Sequence, residues 1–168
     1  MASFHTKTFT KYDDYATPKS AFEHIQALVP KGKIIYEPFY VDGVASQYLN
    51  ELGFDDVIHD SQLDFFVHSK DLHFDLILSN IPYSQKKEVL THLKKLNKPF
   101  MLLCPISMLN TNYLRELFGN DIQLIIPKKR IQFYKIVNNE RTFPGRCNFE
   151  TAWFCYGIHL PRDINFLS

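Results

Sequence analysis

Asn80-Ile81-Pro82-Tyr83 sets an amide, a proline and an aromatic ring directly after the apolar run Leu76-Ile77-Leu78. An amino group on an aromatic base is a poor nucleophile, because its lone pair is delocalised into the ring. Two acceptors aimed at its hydrogens can localise that pair by drawing the nitrogen toward tetrahedral geometry. The Asn80 side-chain oxygen and the Ile81 main-chain carbonyl are two such acceptors, and Pro82 stiffens the turn presenting them. Tyr83 follows as a ring on which a base can stack.

Other segments carry complementary chemistry. Glu37-Pro38-Phe39-Tyr40-Val41-Asp42-Gly43 leaves an apolar run and precedes a helical pattern; Gly43 allows close backbone approach, and the helix start offers free amides. Asp60 lies where dinucleotide folds place an acid on ribose hydroxyls, and Asp64-Phe65-Phe66 follows closely. In the segment from Pro127 to Arg146, six cations (Lys128, Lys129, Arg130, Lys135, Arg141 and Arg146) stand against Glu140 alone, interleaved with Phe133, Tyr134 and Phe143. Basic residues mixed with aromatics suit phosphate contact plus base stacking. The seven histidines lack metal-ligand spacing, and no metal is expected.

The elements that must position these groups alternate. Thr17-Pro18 predicts a helix start with Thr as cap, and Ala21, Phe22, Ile25 and Leu28 form its apolar stripe. Strand patterns begin at Lys33 and cover DDVIHD, DLILSN and FMLLCPI. Helical spacings lie between them at Val44–Leu52 and Val89–Leu96, and a short one follows at Tyr113–Phe118. IQLII, IQFYKI and TAWFCYGI close the chain as strands. Alternation followed by successive strands predicts an α/β domain, a mostly parallel sheet with antiparallel C-terminal additions. In such sheets ligands bind at the carboxyl ends of strands near a topological switch point, so EPFYVDG, His59-Asp60 and NIPY should face one crevice. Only fourteen residues separate Asp60 from Asp75, too few for a full helix and strand, so one sheet edge should be abbreviated.

A length of 168 residues predicts a single domain, with residues 1–15 as an irregular arm. The net charge of +1 gives no global electrostatic footprint for coating nucleic acid. Cys104 and Cys155 sit in apolar runs and read as buried thiols, and no CxxC pair exists. No apolar run suits a signal core or a membrane span, so no membrane association and a reducing, cytoplasmic location are expected.

NIPY resembles the (D/N/S)-P-P-(Y/F/W) motif of amino-directed methyltransferases that use S-adenosylmethionine, above all the adenine-N6 group. Its aliphatic second residue is similar to the ribosomal RNA adenine dimethyltransferases. EPFYVDG resembles that family's (D/E)-P-F-x-G-x-G cofactor motif, with Val41 where the family prefers glycine. The ending, KKRIQF followed by TAWFCYGI, is similar to compact adenine methyltransferases of phages and large DNA viruses. The resemblance implies a Rossmann-like class I methyltransferase sheet and S-adenosylmethionine as cofactor. It gives the cofactor to Thr17, Pro18, Glu37, Pro38, Phe39, Gly43, Asp60, Asp64 and Phe65, with Glu37 pairing with the ammonium of the methionine moiety. Target-amine binding falls to Asn80, Ile81, Pro82 and Tyr83. Residues 128–150 become a target-recognition hairpin, with Lys128, Lys129, Arg130, Arg141 and Arg146 on nucleic acid. The implied reaction is methyl transfer to adenine N6 in DNA. RNA adenine, protein glutamine, or a catalytically silent nucleic-acid-binding protein on the same scaffold are the alternatives. A domain this short also points to a homodimer or a protein partner completing the substrate groove.

Overall fold

The computed structural model describes residues 13–143 and 149–168. β1 (Tyr15–Ala16) precedes α1 (Lys19–Ile25), whose stripe continues to Leu28 through a 3-10 turn. Pro18 takes the cap position and no side chain caps the helix, so Thr17 does not serve as the cap. β2 (Ile35–Tyr36), α2 (Val44–Glu51) and β3 (Val57–Ile58) follow, then a single turn, α3 (Phe65–His68). β4 (Leu76–Asn80), α4 (Lys86–Leu96), β5 (Phe100–Pro105), α5 (Asn112–Leu117) and β6 (Ile122–Ile126) continue the alternation. The hairpin β7 (Tyr134–Val137) and β8 (Glu140–Thr142) comes next, followed by β9 (Thr151–Tyr156) and β10 (Ile164–Phe166).

The main sheet has seven strands in the order β10-β6-β9-β5-β4-β2-β3. Every pairing in it is parallel except the two made by β9, which lies antiparallel between β5 and β6. This is the expected mostly parallel, Rossmann-like α/β sheet. Its abbreviated edge is also present: β3 is outermost, and among the described residues only α3 and a 3-10 turn separate it from β4. β10 extends the opposite edge, which the sequence pattern does not reveal.

Both faces of the sheet are covered, which is why its strands read as continuous apolar runs. Along β5, Phe100, Leu102 and Cys104 join one core cluster while Met101 and Leu103 join the other. In β9, Ala152 and Phe154 alternate in the same way with Trp153 and Cys155. Phe22, Ile25 and Leu49 bring α1 and α2 onto one face; Phe65, Leu90, Leu93 and Leu114 bring α3, α4 and α5 onto the other. Burying each such side chain stabilises the fold by roughly 1.5–3 kcal/mol. Cys104 and Cys155 are buried free thiols, as their apolar setting predicts; Cys147 lies outside the described residues.

A second sheet of order β1-β7-β8 is antiparallel throughout. Tyr15 pairs with Lys135 and Ala16 with Tyr134, so the end of the N-terminal arm is strand. The expected strand IQFYKI is extended ladder only in its second half, with Ile131 and Phe133 buried in the core ahead of it. This small sheet sets the hairpin against the carboxyl ends of the main strands.

A crevice at the topological switch point

Chain order reverses between β2 and β4, which pair in parallel through Ile35↔Leu76 and Tyr36↔Ile77. Their carboxyl ends release the two segments singled out by chemistry, Glu37–Gly43 and Asn80–Tyr83. A cavity of about 30 Å³ lies between them, lined by Thr17, Glu37, Phe39, Val41, Asp42, Ala45, His59, Asn80 and Arg141 among others. A larger recess of about 710 Å³ lies at the other end of the sheet, around Asn97, Gln123 and Tyr156. Its polar groups serve the fold: Gln123 bonds the Leu160 and Arg162 backbone, and Tyr156 donates to Asn97. Size alone therefore points to the wrong end of the molecule.

Glu37 is buried and ties the switch point together. Its Oε1 accepts from Ser79 Oγ at 2.6 Å and from the Phe39 amide at 2.9 Å. Its amide donates to the Ile58 carbonyl, and its own carbonyl accepts from His59 Nδ1 at 2.9 Å. Burial pushes the carboxyl up to about 8, against the lowering effect of the Ser79 and Phe39 hydrogen bonds. At neutral pH Glu37 is therefore largely protonated, with its Oε1 held by the Ser79 hydroxyl and the Phe39 amide.

Asp42 is committed as well. Arg141, ninety-nine residues away on β8, grips it in a bidentate pair, Nε to Oδ2 at 2.5 Å and Nη2 to Oδ1 at 3.0 Å. The guanidinium also donates to Tyr48 Oη at 3.0 Å and lies over the Tyr48 and Tyr134 rings. Burial pushes Asp42 up, but the hydrogen bond and charge of Arg141 and the Val44 amide together hold it below the usual range. Gly43 takes φ +78° and caps α2; a Cβ there would collide with the Tyr40 hydroxyl, so only glycine fits. Tyr40 in turn stacks on His59, with centroids 4.8 Å apart.

Two atoms on the crevice residues stay unmatched. Asn80 Oδ1 and His59 Nε2 are both buried and have no hydrogen-bond partner among the described residues. Such an atom costs about 1–3 kcal/mol relative to a satisfied one, so it marks a place reserved for something else. Burial lowers the basicity of His59, which stays neutral; because Nδ1 donates to a carbonyl, Nε2 carries the lone pair.

The remaining sequence-predicted residues divide. Thr17, Glu37, Phe39 and Asn80 line the crevice, and Pro18, Pro38, Ile81 and Pro82 are buried beside them in the chain. Tyr83 is 8% exposed and sits edge-on to Phe149 at 5.4 Å. Asp60 is exposed and accepts from the Gln62 amide. Asp64 Oδ1 accepts from the Phe66 and Val67 amides, an ordinary helix cap for α3. Phe65 is core, packed edge-on to Phe39. Lys128 and Lys129 are exposed and flank a different cavity with His24 and Leu167. Arg130 pairs with Glu150 at 2.6 Å, Arg141 is the partner of Asp42, and Arg146 lies outside the described residues. Sequence reasoning brought the segments of Tyr40, Asp42 and His59 to the crevice but gave those side chains no role, and it missed Ser79. The one signal available was that His59 ends the strand beside the motif strand.

Neither a family model nor a curated protein matches this chain. Among solved structures, the chain is similar to a precorrin 8w decarboxylase from Methanobacterium thermoautotrophicum. That match has TM-score 0.51 and 14% identity, covering 89% of this chain and 96% of that one. A precorrin-6y C5,15-methyltransferase from Geobacter metallireducens also aligns, with TM-score 0.41 and 12% identity over 86% of this chain and 92% of that one. The first likeness extends over nearly the whole domain and shows a shared α/β fold.

Proposed function

We propose that this protein is an S-adenosylmethionine-dependent methyltransferase acting on the N6 amine of adenine in DNA. The observation that carries the reading is Asn80 Oδ1, a buried acceptor without a partner among the described residues, at the carboxyl end of β4 beside the switch point. The NIPY resemblance gives that acceptor an amine to bind. S-adenosylmethionine, when bound, supplies an electrophilic sulfonium methyl. Asn80 Oδ1 and the Ile81 carbonyl accept the two amine hydrogens and free the nitrogen lone pair for attack. The nitrogen becomes strongly acidic as it is alkylated, so no dedicated general base is required. A base reaches the Tyr83 ring once Phe149 swings away, and in a duplex it must first leave the stack.

Residues around the crevice suit the amino-acid end of the cofactor. Acceptors without partners match a donor-bearing group, and Thr17 and the Glu37–Gly43 loop border them. A cavity of about 30 Å³ is far below the roughly 300–1,000 Å³ of small-molecule sites, so the nucleoside enters only when the loop and the β7–β8 hairpin part. The same tight closure, with Val41 in the motif, favours the second reading, a catalytically silent nucleic-acid-binding protein on this scaffold.

Transfer of labelled methyl from S-adenosylmethionine to duplex DNA, single-stranded DNA, RNA and protein pools tests the reading. N6-methyladenine in DNA is the expected product. Label in RNA adenine or protein glutamine moves the substrate class. Absence of transfer to all four pools gives the silent reading the field.

A further inference from the structure

The crevice contains more acceptor capacity than the transfer reaction uses. The target amine accounts for Asn80 Oδ1 and the Ile81 carbonyl, which leaves His59 Nε2 without a task. The amino-acid end of the cofactor carries an ammonium that needs acceptors in a site walled off from water. Each acid nearby is engaged through at least one oxygen. Glu37 is held by Ser79 and Phe39 and is largely protonated at neutral pH; Asp42 is clamped by Arg141; Asp60 faces outward onto the Gln62 amide.

We infer that His59, resting on the methyltransferase reading above, is a cofactor-binding residue whose Nε2 accepts a hydrogen bond from the α-ammonium of S-adenosylmethionine. Three observations converge on it. His59 lines the crevice together with Asn80. Its Nε2 is buried and lacks a partner among the described residues. Its tautomer is set by the bond from Nδ1 to the Glu37 carbonyl, while the Tyr40 ring fixes the imidazole plane. The charge of Asp60 acts on this ring and favours a cation beside it, whereas that of Asp42 is balanced by Arg141. The motif's acid thus orients the histidine through its main chain, and the histidine does the binding.

The two nitrogens can be separated by substitution. His59→Asn keeps a polar group at the δ position for the Glu37 carbonyl but loses the acceptor at the ε position. His59→Gln restores an acceptor there. Calorimetric titration would use S-adenosylhomocysteine, which carries the amino-acid end, and 5′-methylthioadenosine, which lacks it. His59→Asn should weaken S-adenosylhomocysteine by about 10- to 100-fold, the usual worth of a hydrogen bond to a charged group. Methylthioadenosine affinity should stay within about 2-fold, and His59→Gln should recover most of the loss. Equal losses for both ligands would reduce His59 to a packing role and overturn the inference. Unchanged S-adenosylhomocysteine affinity in His59→Asn would overturn it too. Binding of neither ligand by the parent protein is a different failure: it removes the cofactor reading itself, and this inference with it.

Discussion

The loop after β2 and the corner after β4 leave adjacent strands at the same end of the sheet, yet they treat their polar atoms in opposite ways. In the Glu37–Gly43 loop, the Glu37 and Asp42 carboxylates are both bonded, to Ser79, to main-chain amides and to Arg141. At the Asn80 corner the amide side-chain oxygen is buried without a partner among the described residues. A satisfied polar group explains itself as part of the fold. An unsatisfied one costs stability and calls for a ligand, so the difference separates the scaffold of the crevice from its chemistry.

The largest effect should come from the unsatisfied side. On the proposed function, Asn80→Ala should lower single-turnover methyl transfer by about 100-fold or more. Its thermal midpoint should not fall, because the substitution removes a buried acceptor that the fold leaves unmatched. A marked drop in the midpoint would mean that Asn80 belongs with the structural group and would dissolve the contrast.

Glu37 should show the reverse, an effect on stability that depends on pH. Its folded carboxyl titrates near 8, above the usual 4.5, so the folded state holds its proton more tightly. The stability this contributes is complete below about pH 4.5 and is lost as pH rises through about 8. Thermal melts from pH 5 to 9 should fall along this window. In Glu37→Gln, which stays neutral and can still accept from Ser79 and Phe39, that component of the slope should vanish. A parallel decline in both proteins would show that Glu37 is not the group responsible.

The Arg141–Asp42 pair should give the smallest change. Its side chains are only about one-fifth exposed, so Arg141→Ala, which leaves Asp42 unpaired, should cost roughly 2–3 kcal/mol, expressed locally. Faster amide exchange in β7 and β8, with the main-sheet amides unchanged, is the expected signature. Arg141→Lys should restore only part of the protection, because an ammonium cannot reproduce the two-pronged contact. Equal loosening of β4 and β5 would mean that the hairpin is part of the main core.

The main sheet was legible because its strands are buried on both faces and its helices carry apolar stripes. FMLLCPI, TAWFCYGI and the α1 and α4 patterns could hardly read otherwise, and the fourteen-residue gap before Asp75 announced the shortened edge. The second sheet was not legible, since Tyr15–Ala16 is two residues long and finds its partner more than a hundred residues away. For the same reason Arg141 read as a phosphate contact: nothing local in ERTF indicates a carboxylate waiting at Asp42. The helix-capping role of Asp64 was legible from the Phe65–His68 turn that follows it.

The position of β9 bears on how the chain is made. Synthesis runs from the N-terminus, yet this late strand fills the slot between β5 and β6, with Trp153 fully enclosed. Until residues 151–156 emerge, both neighbours present open hydrogen-bonding edges flanked by apolar faces, the form most prone to pair with another chain. A ribosome that stalls or terminates before this point therefore releases a sticky half-sheet. For this topology, completeness of translation is itself a condition of solubility.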